Sequence, residues 1–257
     1  MNIAEHITAL DGAGQRLAAA AEAAGPDAAV PSCPDWVVRD LVRHLGGVHR
    51  WATGYVAGQR TELWEVDLDD VVGEWPSDGD LIDWFGEGLN TLVQTLTDAD
   101  PDLVCFAWLP APSPLAMWSR RQAHETTVHR VDAELAAGWL PSALPVPFAA
   151  DGVDEMLRCF ITRHRGVLRA DPVRRLRVRC TDDPGDWLIM IGNEQVVTRL
   201  AMPGGDEYWD HVDCRVTGTA NDLYLALWNR KPTTTLSVEG DASVLRLLTD
   251  NVKIRWT

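Results

Sequence analysis

The segment Gly138–Pro147, with prolines at 141, 145 and 147, divides the chain into two halves of different grammar. Before it, apolar residues recur at helical spacing; after Phe148, short runs of alternating apolar and polar residues dominate. Period 3.6 and period 2 bury different faces, so each half must solve its core in its own way. The break reads as a linker between domains 1–146 and 147–257. A chain of 257 residues is long enough for two such domains, each with a substantial core.

In the first half, Ile3 to Ala24 mixes Ile, Leu and many alanines with charges, predicting one long helix that ends near Gly25-Pro26. Pro31-Ser-Cys-Pro34 is a rigid lead-in to a second helix over about Asp35 to Tyr55, carrying Trp36, Val37, Leu41, Leu45, Val48 and Trp51 at helical spacing. Gly46-Gly47 lowers its local propensity, which close packing on a neighbour would justify. Ser77 to Asp80 offers a cap for a third helix with Leu81, Trp84, Phe85, Leu89, Leu92, Val93 and Leu96. A proline-rich loop, Asp102 to Pro114, then leads to a fourth helix over about Leu115 to Ala137. Four helices with moderate loops predict a four-helix bundle.

The second half predicts a helix over about Ala149 to His164 and strands at Leu176–Cys180, Trp187–Ile191, Gln195–Arg199, His211–Val216 and Thr235–Val238. Helices near Asn221–Trp228 and Ala242–Leu248 complete it. That order suggests a small α+β domain with a mainly antiparallel sheet.

The chemistry concentrates on the fourth helix. Glu125 and His129 stand four residues apart, and four helical steps return a side chain to within roughly 40° of its starting direction. A carboxylate and an imidazole on one face can share a cation, and His44 on the second helix can supply a third ligand. A His/His/Glu set leaves one position of a tetrahedral zinc open, as catalytic sites do. His49 sits about 140° around the helix from His44, and His124 about 100° from Glu125, so both are read as non-ligands; His6 is undetermined. Asp132, three after His129, either orients a ligand histidine or pairs with Arg121 or Arg130. The arginines 120, 121 and 130 are read as a solvated helical face. Trp36, Trp51 and Trp118 are core anchors or walls of a pocket.

A net charge of −15 argues against a nucleic-acid footprint. No run approaches the ~20 apolar residues of a membrane span, and the N-terminus lacks the basic and apolar regions of a signal peptide. Five cysteines without CxxC spacing are expected to be reduced thiols of a cytoplasmic protein. Cys33 precedes a helix start, where thiol pKa falls, but it sits in the entry turn and is read as non-catalytic. Only Lys231 and Lys253 are lysines, against many arginines, a bias that fits an actinobacterial source.

Three blocks carry a resemblance. Val30 to Leu45 (Val-Pro-Ser-Cys-Pro-Asp-Trp-Val-Val-Arg-Asp-Leu-Val-Arg-His-Leu) resembles the early signature of the mycothiol-dependent maleylpyruvate isomerase family, Cys-Pro-x-Trp-x-Val-Arg-Asp-Leu-x-x-His-Leu. His124 to Ala133 resembles its His-Glu-x-x-x-His-Arg-x-Asp-Ala, and Gly218–Arg230 followed by Leu236–Asp241 resembles its C-terminal domain. The resemblance implies a DinB-type metal-binding bundle followed by a sterol-carrier-like α+β domain. It also implies zinc on His44, Glu125 and His129, with mycothiol as cofactor. Arg230 is the candidate for the arginine that family members need in catalysis.

The expected activity is then isomerisation or S-transfer on a small electrophilic, carboxylate-bearing substrate. Addition of a metal-activated thiol to a cis double bond permits rotation, and elimination returns the trans product; in transfer the thioether is kept. Two other readings stand beside it. A zinc-bound hydroxide would make a hydrolase, with Asp132 or His124 as base. A structural metal in a small-ligand-binding protein would make no enzyme at all.

Overall fold

Asn2 caps α1 (Ile3–Ala24): its side chain accepts from the Glu5 amide at 2.9 Å while Glu5 Oε2 accepts from the Asn2 amide at 2.7 Å. This reciprocal box satisfies amides that have no helical partner. Gly25, at φ 82°, closes the helix in a backbone region that L side chains rarely adopt. The computed structural model describes residues 1–163, 168–201 and 211–252.

α2 runs Val38–Ala57, starting three residues later than the periodicity of Trp36 suggested. Cys33 donates its amide to Val30, Trp36 donates to Cys33, and Val30 donates back to Trp36, so residues 30–36 form a closed loop. The Asp40 carboxylate accepts from the Val37 amide at 3.0 Å and fixes the helix start. A short helix, α3 (Leu68–Val72), lies in the connection read as polar loop. Five residues are too few to show a helical period. α4 is Leu81–Asp98. Its Asp80 makes no side-chain cap; Ser77 Oγ instead donates to Asp80 Oδ2 at 2.6 Å, so the expected cap is a turn held by its own side chains. α5 is Pro114–Ala136, capped by Ser113 Oγ on the Ala116 amide.

These helices form the bundle: α1 packs on α4 and α5, and α2 packs on both as well. Leu10, Leu17, Leu41, Leu45, Phe85, Leu92 and Leu96 are fully or almost fully buried within it. Gly46 permits a close helix approach, since a Cβ there would lie 2.2 Å from the Trp84 ring of α4. Arg50, one turn on, stacks its guanidinium 3.8 Å from the same ring centroid and donates to the Trp84 carbonyl at 2.8 Å.

α5 departs from the amphipathic pattern. Every residue from Arg121 to Glu134 is buried, charged ones included. Buried charges are tolerable only when paired, and here they are. Glu134 accepts from Ser142 N and Oγ at 2.9 and 2.8 Å and pairs with Arg16. Arg130 donates to the Ser142 carbonyl at 3.0 Å and lies 3.8 Å from Glu134. The expected solvated arginine face is therefore wrong for Arg121 and Arg130, while Arg120 is half-buried. Helical spacing looks the same for a solvated charge and for one matched inside a core.

The chain divides into two compact units, Met1–Ser142 and Ala143–Thr257. In the second, α6 (Val146–Asp154) continues into a π-helical stretch, Glu155–Phe160, which the single predicted helix did not foresee; His164 lies outside the described residues. The sheet comprises β1 (Arg174–Cys180), β2 (Asp186–Ile191), β3 (Val196–Leu200), β4 (Cys214–Gly218) and β5 (Ser237–Gly240), in the order β3-β2-β1-β4-β5. Every neighbouring pair is antiparallel except β1 and β4, which run parallel with Val178 opposite Val216. In β1, Leu176, Val178 and Cys180 are buried while Arg177 reaches Asp186 of β2 at 2.6 Å. α7 (Ala220–Leu227) and α8 (Ala242–Asn251) complete the unit. Among the described residues no helix is long and apolar enough to cross a membrane.

Candidate metal centre

α5 places Glu125 and His129 one turn apart, and α2 brings His44 against them. His129 Nε2 lies 3.3 Å and His44 Nε2 3.6 Å from Glu125 Oε1. The ligand atoms of all three residues fall within 4.8 Å of one another. A tetrahedral zinc with bonds of about 2.0–2.1 Å holds its ligand atoms about 3.3–3.4 Å apart, so the spacing suits such an ion. Glu125 Oε1 is buried and makes no hydrogen bond of good geometry. A buried carboxylate oxygen in that state is costly unless a cation meets it. The donor set and the gap between the donors both fit a divalent metal.

The electrostatics favour ligand-competent forms of Glu125 and His44. Burial by itself would raise the Glu125 carboxyl, but the nearby His129 and His44 imidazoles and the Arg121 guanidinium hold it well below the usual carboxylate range. Burial pushes His44 down, toward the neutral imidazole that metals prefer. Burial acts on His129 the same way, yet the carboxylates of Asp132 and Glu125 outweigh it and raise the ring. Metal binding at such a ring displaces its proton.

The surrounding groups are equally ordered. Arg121 Nη2 donates to Glu125 Oε2 at 3.0 Å, both side chains being almost wholly buried, so one carboxylate oxygen is occupied and the other faces the histidines. His129 Nδ1 contacts Asp132 Oδ2 at 2.8 Å, and Ser32 Oγ hydrogen-bonds Asp132 Oδ1. Cys33 Sγ lies 3.9 Å from Asp132 Oδ2. The half-buried Trp36 packs on both imidazole rings, its centroid 4.9 Å from His44 and 6.0 Å from His129. Of the three tryptophans singled out, this one walls the centre. Trp118 is fully buried, donates to the Phe106 carbonyl at 2.9 Å, and packs with Trp51 and Tyr55 in the core.

His49 is fully buried with Nε2 2.8 Å from Thr126 Oγ1, and burial takes its pKa to about 3. The His124 ring is 6.0 Å from that of His6. Neither belongs to the group formed by His44, Glu125 and His129. Arg230 belongs to the second unit, just beyond α7, where its Nη1 donates to the Trp228 carbonyl at 2.8 Å. Ser32 was not picked out from sequence, and Arg121 was read as solvent-facing. For Arg121 the signal was present in its four-residue spacing to Glu125; Ser32 carried none.

The sequence signature described as "Mycothiol maleylpyruvate isomerase N-terminal domain" matches residues 7–134, and that of the "MDMPI C-terminal domain" matches 147–247. Two crystal structures of the mycothiol-dependent maleylpyruvate isomerase share the fold, one of them of a histidine-to-alanine mutant. Each has a TM-score of 0.61 and 11% identity, with 93% of either chain covered. No curated protein matches this sequence. With both domain signatures present in order and together spanning most of its length, the chain belongs to the mycothiol-dependent maleylpyruvate isomerase family.

Proposed function

We propose that the protein is a divalent-metal enzyme, with zinc as the metal, that uses mycothiol to isomerise a small electrophilic substrate bearing a carboxylate. The observation that carries the proposal is the convergence of two imidazoles on a buried carboxylate oxygen without a hydrogen bond of its own. Family membership supplies the thiol and favours isomerisation over transfer. When bound, the metal supplies an open coordination position at which a thiol ionises near neutral pH, and mycothiol supplies that thiol.

His44, Glu125 and His129 would hold the metal. Arg121 keeps Glu125 ionised and single-ended by occupying Oε2. Trp36 presents a large apolar face over the two imidazoles, which limits water at the centre and strengthens local electrostatics. Arg230 would grip the substrate carboxylate, a task suited to a planar guanidinium with paired donors.

The test is metal content by elemental analysis, with turnover of maleylpyruvate measured with and without mycothiol. About one zinc per chain, lost in His44→Ala, Glu125→Ala and His129→Ala, is the expected result, with turnover dependent on thiol. Arg230→Lys should raise KM while leaving metal content unchanged. A well-folded wild type that takes up no metal when zinc is offered would overturn the proposal. Ester or amide turnover without thiol would replace it with hydrolysis.

A further inference from the structure

Asp132 is fully buried, and both of its oxygens are engaged on the side of the metal centre. Oδ2 meets His129 Nδ1 at 2.8 Å, and Oδ1 accepts from Ser32 Oγ. Arg121 donates to Glu125 Oε2, and Arg130 donates to the Ser142 carbonyl beside Glu134. A fully buried carboxylate costs stability unless its hydrogen bonds do something in return. Here they hold one imidazole by its rear nitrogen. The front nitrogen, Nε2, is thereby aimed at Glu125 Oε1, 3.3 Å away.

The loop that supplies Ser32 is also built toward this point. Residues 30–36 are closed by backbone bonds of 3.0, 3.0 and 2.9 Å between Val30, Cys33 and Trp36. One end of that loop presents Ser32 to Asp132, and the other lays Trp36 on the rings of His44 and His129. A segment about a hundred residues before Asp132 in sequence thus touches the centre twice.

We propose that Asp132 is a positioning residue that fixes the tautomer and ring angle of His129, and that Ser32 is its outer anchor, so that the loop ahead of α2 sets the affinity of the metal centre. The inference rests on the reading of His44, Glu125 and His129 as metal ligands. An Nδ1–H bound to a carboxylate leaves the Nε2 lone pair for the metal and prevents the ring from turning away. Loss of such a partner characteristically weakens metal binding about 10–100-fold.

The experiment is chelator competition on the full chain, giving zinc affinity for wild type, Asp132→Asn, Ser32→Ala and Ser32→Thr. Spectra of the cobalt-loaded proteins report coordination geometry, and melting curves of the metal-free proteins report folding. Asp132→Asn should bind zinc about 10–100-fold more weakly and alter the cobalt spectrum. Ser32→Ala should weaken binding less, in the same direction, and Ser32→Thr, which keeps the hydroxyl, should restore wild-type affinity. A purely structural Asp132 would lower the melting temperature and leave affinity and spectrum where they were, which would overturn the inference. Should Asp132→Asn fail to fold, Ser32→Ala and its threonine rescue decide the matter alone. Wild type that binds neither zinc nor cobalt would overturn the ligand assignment itself, a result distinct from tight binding that ignores Asp132 and Ser32.

Discussion

Replacing Arg121 with methionine isolates the electrostatic logic of the centre, because it removes a buried cation while keeping most of the side-chain volume. The guanidinium donates to Glu125 Oε2 at 3.0 Å, with side-chain exposures of 2% and 5%, so little solvent screens the pair. Removing one partner of a buried ion pair typically costs about 3–5 kcal/mol, because the other charge is left without compensation. The His129 imidazole beside Glu125 offsets part of that loss, which places the expected destabilisation of the metal-free protein near about 3 kcal/mol. At about 2–4 °C per kcal/mol, the melting temperature of the transition that includes the bundle falls by about 6–12 °C. Zinc should close most of the gap, since a divalent cation at Oε1 compensates the same carboxylate. The assay is denaturant unfolding of wild type and Arg121→Met, each with and without zinc. Equal stability of the two metal-free proteins, or a deficit that zinc leaves unchanged, would refute the argument that Arg121 and the metal serve the same buried charge.

His49, whose pKa is held near about 3 by burial, must enter the fold neutral. With its unfolded value near 6.5, the unfolded chain binds the extra proton, so stability is lost as pH falls below about 6.5. His49→Gln keeps a partner for Thr126 Oγ1 without titrating. The stability difference between wild type and this variant should shift by roughly 2 kcal/mol against wild type between pH 7 and pH 5, at 1.36 kcal/mol per pH unit; a constant difference in denaturant unfolding would contradict the assignment. Gly46→Ala should destabilise by about 1–3 kcal/mol despite better helix propensity, because its Cβ would lie 2.2 Å from the Trp84 ring. Gly12→Ala in α1, where nothing lies within 4 Å of the new Cβ, should instead stabilise by about 1 kcal/mol in the same assay.

Much of the fold was legible because its signals are local. α1 ends at Gly25 as the Gly-Pro pair predicts, and α4 and α5 begin within a residue of their expected starts. The three-residue delay of α2 was not visible, since Val37, four residues before Leu41, extends the helical spacing back to the loop from which Trp36 packs on His44. The π-helical stretch at Glu155–Phe160 likewise leaves no mark in a pattern of apolar residues. In the sheet, alternation located every strand to within a few residues. The parallel pairing of β1 with β4 joins segments separated by two other strands, and no local rule states it.

The sequence by itself determined that Glu125 and His129 share a helical face, because the pitch of a helix is a property of the backbone. Its resemblance to a family attached His44 to that pair. Only the tertiary structure decided that α5 is buried around its whole circumference between Arg121 and Glu134, and hence what its charges are for. It also decided that Arg121 faces Glu125 rather than water and that Ser32 meets Asp132 from a hundred residues away. The reason is physical: spacing along a chain specifies direction about a local axis, whereas burial and pairing depend on what arrives from elsewhere to exclude the water.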